Sequence, residues 1–152
     1  MPGLNAILSL MNAVKSVEEN MENGTYIRNA VEDNKSTIVK YNVEQLNEYG
    51  VNSLGVSINT YAPYTLYTVS VKKEKGQPFD RVTLRDTGDF HSSFDVVINS
   101  WDFYITATDP KTTELVKKYG AAIFGLTGEN KQELVLNYIR PDTIKQIRNE
   151  LF

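Results

Sequence analysis

Apolar residues in the first fifty positions recur every three or four residues, which is the spacing of an amphipathic helix. The first such stripe consists of Leu4, Ile7, Leu8, Met11, Val14 and Val17. After a polar break at residues 20–24, a second and looser stripe is formed by Ile27, Val31, Ile38, Val39, Leu46 and Tyr49. It ends at Gly50, where glycine can adopt the left-handed conformation that terminates helices. The second stripe is thin between residues 32 and 37, which predicts a stretch that bridges solvent or packs on another subunit.

The middle third changes to a period of two, which indicates half-buried antiparallel strands. The alternation covers residues 66–72, 93–99 and 101–107, and residues 82–84 are a candidate for a short further strand. Asn99-Ser100 is short enough for a tight hairpin between the last two strands. In the last strand we predict that Trp101, Phe103 and Ile105 face the core, whereas Asp102, Tyr104 and Thr106 face outward.

The C-terminal third returns to helical signals. Asp109-Pro110 predicts a helix start, with Asp109 as the N-cap and proline at the first helical position, and Gly120 predicts its end. Pro141 should kink or split the last apolar segment. The order of elements predicts an α+β fold in one domain of residues 1–152. An antiparallel β-meander (55–108) would be covered on one face by the N-terminal (1–50) and C-terminal (109–152) helices.

Composition narrows the possible chemistry. The chain has 152 residues, of which 41% are apolar and 23% charged, as in an ordinary globular domain. It contains no cysteine and a single histidine, which excludes disulfides, thiolate metal sites and a multi-histidine metal centre within one chain. A carboxylate-only Mg²⁺ or Ca²⁺ site remains possible, but no Asp-rich loop of EF-hand spacing is present, so we expect no metal site and no cofactor. The N-terminal apolar stretch is interrupted by Asn5, Ser9 and Asn12, which argues against a signal peptide, and we expect no membrane partner.

Charge is distributed unevenly along the chain. Residues 1–50 carry four basic and seven acidic side chains, whereas residues 72–85 carry five basic and two acidic ones. The basic residues of the second segment are candidates for an interaction site: Lys72, Lys73, Lys75, Arg81 and Arg85. Opposite patches on one domain favour head-to-tail contacts between copies, although a solvated loop and a solvated helix face explain the same charges.

The triplet Asp86-Thr87-Gly88 suggests two interpretations. Aspartic proteases present such a triplet on a loop, and two of these loops hold carboxylates that share one proton. Here Arg85 and Asp89 flank the triplet, and a guanidinium would favour the ionised carboxylate over the shared proton. We prefer a structural turn in which Gly88 has a positive φ and leads into a strand.

Two further features have an ordinary structural explanation. His91 lies near Asp89, Ser92 and Ser93, but catalytic triads are assembled from distant segments, so we expect a structural histidine. The basic segment could contact nucleic acid, either as an assembly factor or in a weak contact with packaged DNA. Its only aromatic residue is Phe79 and the chain as a whole is acidic, whereas nucleic-acid-binding proteins usually present a strongly basic surface.

Residues 61–94 carry a recognisable combination of short motifs. They include the K-x-K-G-Q form at residues 73–77 and the L-x-D-T-G-D-F form at residues 84–90, followed by Ser93-Phe94. This pattern resembles the small head–tail joining or tail-completion (neck) proteins of tailed bacteriophages. It is most similar to uncharacterised proteins of phages that infect gut Bacteroidetes. The Tyr-Ala…Glu-x-Gly-Thr element that usually follows the meander in tail-completion proteins is missing here.

The resemblance implies a structural virion protein that catalyses no reaction. Its partners would be other copies of itself in a ring, together with the portal or connector and the tail proteins. It would be found at the head–tail junction of the virion, and in the host cytoplasm during assembly. An aspartic-type protease and a nucleic-acid-binding assembly factor are the alternatives.

Overall fold

The computed structural model describes residues 3–152. Helices account for 63% of these residues and the only sheet among them has two antiparallel strands, so the predicted α+β class is confirmed. The α-helices are α1 (Leu4–Glu22), α2 (Thr25–Asp33), α3 (Lys35–Glu44), α4 (Leu66–Glu74), α5 (Asp89–Ser92), α6 (Thr112–Tyr119), α7 (Gly128–Leu134) and α8 (Arg140–Leu151). The strands are β1 (Phe94–Ile98) and β2 (Phe103–Ala107), and turns of π-helix follow α3 (Gln45–Tyr49) and α7 (Val135–Ile139).

The chain packs as two compact units, each made of non-consecutive stretches. Unit 1 contains the residues up to Asn34 together with Ile98–Phe103 and Glu133–Phe152. Unit 2 contains Lys35–Val97 and Tyr104–Gln132. The N-terminal, middle and C-terminal parts described from the sequence (1–50, 55–108 and 109–152) therefore do not coincide with these two units.

Unit 1 is built on α1, α2 and α8, and a carboxylate holds their inner faces together. Glu150 on α8 accepts hydrogen bonds from Ser16 and Asn20 on α1 and from Tyr26 on α2. The bond from Ser16, then that from Tyr26, holds the pKa of Glu150 below its usual value. Burial, followed by the bond to Glu150, raises the pKa of Tyr26. These bonds fix which side of each helix faces the interior of the unit.

Unit 2 is organised by two buried amide side chains on the segment that follows α2. Asn42 donates to the carbonyl of Ile123 (2.9 Å) and accepts from the amide of Gly125 (2.9 Å). Gln45 donates to the carbonyl of Gly125 (3.0 Å) and accepts from the amide of Thr127 (2.8 Å). Both side chains are buried, and they give the irregular backbone after α6 the hydrogen bonds that it would otherwise lack.

The strand pair has the predicted register in its paired part. Ile105 is buried and Tyr104 is exposed, while Phe94 packs on Phe90 and Phe124 with ring centroids 5.0 and 5.1 Å apart. The prediction for Trp101 is wrong, because its side chain is 63% exposed. The second strand begins only at Phe103, so Trp101 belongs to the connecting turn and the period-two rule does not apply to it.

The predicted strand at residues 66–72 is wrong, because this segment forms α4. Thr65 caps the helix by accepting a hydrogen bond from the amide of Thr68 at 3.2 Å. Lys72 is buried on one side of α4, whereas Leu66 and Tyr67 are exposed. Residues 82–84 are buried but pair with no strand, so the expected meander reduces to a two-stranded hairpin.

The two helix ends predicted at glycines are confirmed. Gly50 and Gly120 have φ of 61° and 86° and follow helical segments, as predicted. Asp109 accepts from the amide of Lys111 at 2.8 Å, although α6 itself begins at Thr112. Pro141 lies in the first turn of α8, directly after the π-helical turn, but it does not split the segment: Leu134, Ile139 and Arg140 keep helical φ and ψ, so the helical backbone continues from α7 into α8.

We predict that Asn42→Ala lowers the free energy of unfolding by roughly 2–4 kcal/mol, because it leaves a buried carbonyl and a buried amide without partners. Urea unfolding followed by circular dichroism measures this loss. Asn5→Ala, at an exposed position of α1, is the matched control and should change stability by less than about 0.5 kcal/mol. Equal stabilities for the two variants would contradict the role assigned to Asn42.

Candidate functional site

The five basic residues predicted as an interaction site do not form one free patch. Lys72 is buried, and its ammonium donates to the carbonyl of Arg85 at 2.8 Å and lies 5.0 Å from the ring centre of Tyr64. A buried ammonium with these contacts is a structural group of unit 2. It is not available to a partner in this arrangement.

Three of the other four basic residues also have partners within unit 2. Lys75 pairs with Asp86 at 2.8 Å, and Lys73 lies 4.7 Å from the ring centre of Phe79. Arg81 donates from Nε to the carbonyl of Asn47 at 2.8 Å, and its guanidinium also pairs with Asp80. Arg85 is exposed. Lys73, Lys75 and Arg85 are nevertheless exposed, so the charge run is partly structural and partly solvated.

Asp86-Thr87-Gly88 forms the predicted tight turn. Gly88 has a φ of 95°, which confirms the predicted positive value. Thr87 donates to the carboxylate of Asp89 at 2.8 Å and accepts from the amide of Asp89 at 3.3 Å. The turn leads into the short helix α5, whereas the sequence predicted a strand at this point.

The surroundings of Asp86 argue against a protease dyad. The hydrogen bond from Lys75 holds the pKa of Asp86 below its usual value, so the group is an ionised, exposed carboxylate. A dyad instead needs two carboxylates that share a proton. The cleft beside the turn, lined in part by Lys72, Asp109 and Lys111, has a volume of about 180 Å³. Ligand pockets usually measure ~300–1,000 Å³.

His91 is buried and has a structural environment. Its ring lies 5.8 Å from that of Phe94, one ring nitrogen bonds to the backbone of Thr83, and Nε2 has no hydrogen-bond partner. Burial lowers its pKa to about 4, so it is neutral near pH 7. The hydroxyls of Ser92 and Ser93 donate to backbone carbonyls, and neither forms a hydrogen bond with His91.

Residues 3–152 contain no group of three or more histidine, cysteine, aspartate or glutamate side chains arranged to hold a metal ion. Within the same range, no helix is both long enough and apolar enough to cross a membrane.

The most unusual surface is the N-terminal part of α1. Every residue from Gly3 to Asn12 is exposed, and no charged residue occurs before Lys15. Leu4 is 72% exposed and Met11 is 61% exposed, and large apolar side chains are also exposed at Ile7, Leu8, Leu10 and Val14. The sequence predicted this apolar stripe but implied that it packs in the core. We define residues 4–14 as the α1 apolar segment.

The direction of the stripe follows from the contacts of α1. Ser16 and Asn20 face the interior of unit 1, because both bond to Glu150. At 100° per residue, Leu4, Leu8 and Met11 lie on the opposite side of the helix. The α1 apolar segment therefore points away from the unit that holds the rest of α1.

A second surface feature of unit 1 is a shallow, open depression of about 540 Å³ on the outer side of α8 and the π-helical turn before it, lined by exposed residues of this one helical stretch. Its lining combines apolar and basic side chains, among them Leu136, Ile144, Arg140, Lys145 and Arg148. The acidic residues of α8 are turned the other way: Asp142 accepts from Asn34 at 2.6 Å and Glu150 binds α1 and α2. We call this feature the α8 groove.

No family model, curated protein or solved structure matches the chain with statistical significance.

We predict that stability falls as the pH is lowered from 6.5 to 4. In this window the unfolded chain protonates His91 at its ordinary pKa of 6.5, while the folded chain resists protonation until about pH 4. This gap corresponds to roughly 3 kcal/mol of unfolding free energy. Chemical denaturation at a series of pH values measures the loss.

The matched control is His91→Gln, which cannot titrate but retains a donor for the backbone of Thr83. We expect the variant to show a nearly flat pH profile above pH 4.5, whatever its absolute stability. A profile in His91→Gln as steep as that of the wild type would contradict the assignment.

Proposed function

We propose that the protein is a structural subunit of the head–tail junction of a tailed bacteriophage and acts by binding other protein subunits. The single observation that carries the proposal is the exposed α1 apolar segment. Burial of apolar surface contributes about 25 cal/mol per Å², so a partner that covers several leucine-sized side chains gains several kcal/mol. Contiguous exposed apolar surfaces of this kind usually mark interaction sites.

A protein partner fits the chemistry of α1 better than a lipid surface does. Helices that lie on membranes usually combine an apolar side with a face rich in lysine and arginine. On α1 the apolar segment is followed by one basic residue, Lys15, and by acidic residues at Glu18, Glu19 and Glu22. This charge would be repelled by the anionic surface of a membrane or of nucleic acid.

The resemblance of residues 61–94 to phage neck proteins supplies the biological setting of the proposal. In that setting the partners are identical subunits in a ring, the portal or connector, and the tail proteins. A ring subunit needs two complementary surfaces whose contacts between copies close the ring, and it needs no reactive site. A weak contact with packaged DNA would involve the exposed members of the basic segment, Lys73, Lys75 and Arg85.

The first test replaces apolar side chains of α1 by charged ones. Leu8→Glu combined with Met11→Glu should preserve the circular dichroism spectrum, because both positions are exposed. Incorporation into phage particles should fall, because the partner would have to bury two carboxylates. Quantitative mass spectrometry of purified particles measures the incorporation.

Leu66→Glu is the matched control, since Leu66 is a leucine of α4 that is 89% exposed. We expect it to be incorporated normally. An equal loss for both variants would show that α1 has no special part in assembly. If the wild-type protein is missing from purified particles, or is imaged away from the portal–tail junction, the proposed function is wrong.

A further inference from the structure

The outward sides of α1 and α8 are complementary. On α1, Leu4, Leu8 and Met11 are followed on the same side of the helix by Glu18 and Glu22, one and two turns after Lys15. The apolar part thus has an acidic end. Among the described residues, none forms a salt bridge or a hydrogen bond with the carboxylate of Glu18 or Glu22.

The α8 groove offers the matching pattern. Leu136 and Ile144 supply apolar surface, while Arg140, Lys145 and Arg148 supply positive charge. Because Asp142 and Glu150 face the interior of unit 1, no acidic side chain of α8 lines the groove to neutralise these cations. The groove therefore suits a helix with an apolar side and an acidic end.

The two features also agree in the spacing of their apolar and charged residues. When the two helices run parallel with Leu8 against Leu136, Glu18 lies about 15 Å further along α1 and Lys145 about 14 Å further along the groove, at ~1.5 Å per residue. Glu22 and Arg148 follow at about 21 and 18 Å. Within one chain the two surfaces cannot meet while α1 and α8 keep their contacts through Glu150, because each lies on the side opposite those contacts. A helix that fills the groove must come from another molecule.

We propose that the α8 groove of one subunit binds the α1 apolar segment of the next copy of this chain. The contact joins two unlike surfaces, so it is head-to-tail and can close into a ring. The inference deepens the proposed function and rests on it for its biological meaning. In this contact the positive partner of the acidic N-terminal region is the α8 groove. The basic residues of segment 72–85, for which the sequence suggested this part, are not involved.

Thiol cross-linking tests this contact directly, because the wild-type chain has no cysteine. A tagged Leu8→Cys protein is mixed with an untagged Leu136→Cys protein and treated with a short bismaleimide. We expect the mixed product to form several-fold more than either homodimer. Leu66→Cys in place of Leu136→Cys is the control and should give only background.

Charge reversal provides a second measurement. Glu18→Arg with Glu22→Arg in the Leu8→Cys protein should reduce the yield of mixed product roughly tenfold, because like charges would face each other. Adding Lys145→Glu with Arg148→Glu to the Leu136→Cys protein should restore it. Failure of this restoration would contradict the proposed pairing.

The other outcomes each overturn the proposal. If the Leu8→Cys homodimer dominates, two α1 helices pair with each other. If no mixed product forms but the groove binds duplex DNA with a steep salt dependence, nucleic acid is its occupant. Location in the particle is measured separately. If the protein is found at the portal–tail junction but gives no mixed product, only this inference is refuted. If the mixed product forms but the protein is missing from particles, only the phage function is refuted.

Discussion

The carboxylate of Glu150 determines which surfaces of unit 1 are available to partners. It gathers hydrogen bonds from Ser16 and Asn20 on α1 and from Tyr26 on α2, so it fixes the inward side of three helices at once. These bonds lower its pKa, which means that they favour the ionised form. Their contribution to stability is therefore present above the ordinary pKa of a glutamate and is lost as the pH falls through the lowered value. The outward sides of α1 and α8 follow from this one arrangement.

Unit 2 uses its polar side chains in a comparable way. Asn42 and Gln45 replace missing backbone partners, the ammonium of Lys72 binds a carbonyl, and His91 is buried and neutral. Asp86, in contrast, is an exposed, ionised partner of a lysine. Unit 1 differs in that it exposes an apolar helix segment, which costs solvation free energy until a partner covers it.

Local signals in the sequence predicted much of the fold. Glycines at helix ends and the helical period of α1 report local geometry, and the corresponding predictions were confirmed. The strand prediction for residues 66–72 failed because their alternating β-branched residues were outweighed by a capped helix with Lys72 on its buried side. Periodicity likewise found the stripe of α1 but could not tell a core face from a docking face, since both need the same side chains. The hydrogen bonds to Glu150 join residues more than 120 positions apart, so no local sequence pattern predicts them.

The central claim is that the α1 apolar segment is covered when the protein assembles. Hydrogen–deuterium exchange of residues 4–14 tests it most directly, by comparison of the isolated subunit with the protein in purified particles. In the isolated subunit these amides lie near a solvated helix end and should exchange quickly. We expect exchange in the particles to be slower by at least about tenfold, which corresponds to a stabilisation of the helix by more than about 1.4 kcal/mol on packing. Equally fast exchange in both samples would contradict it.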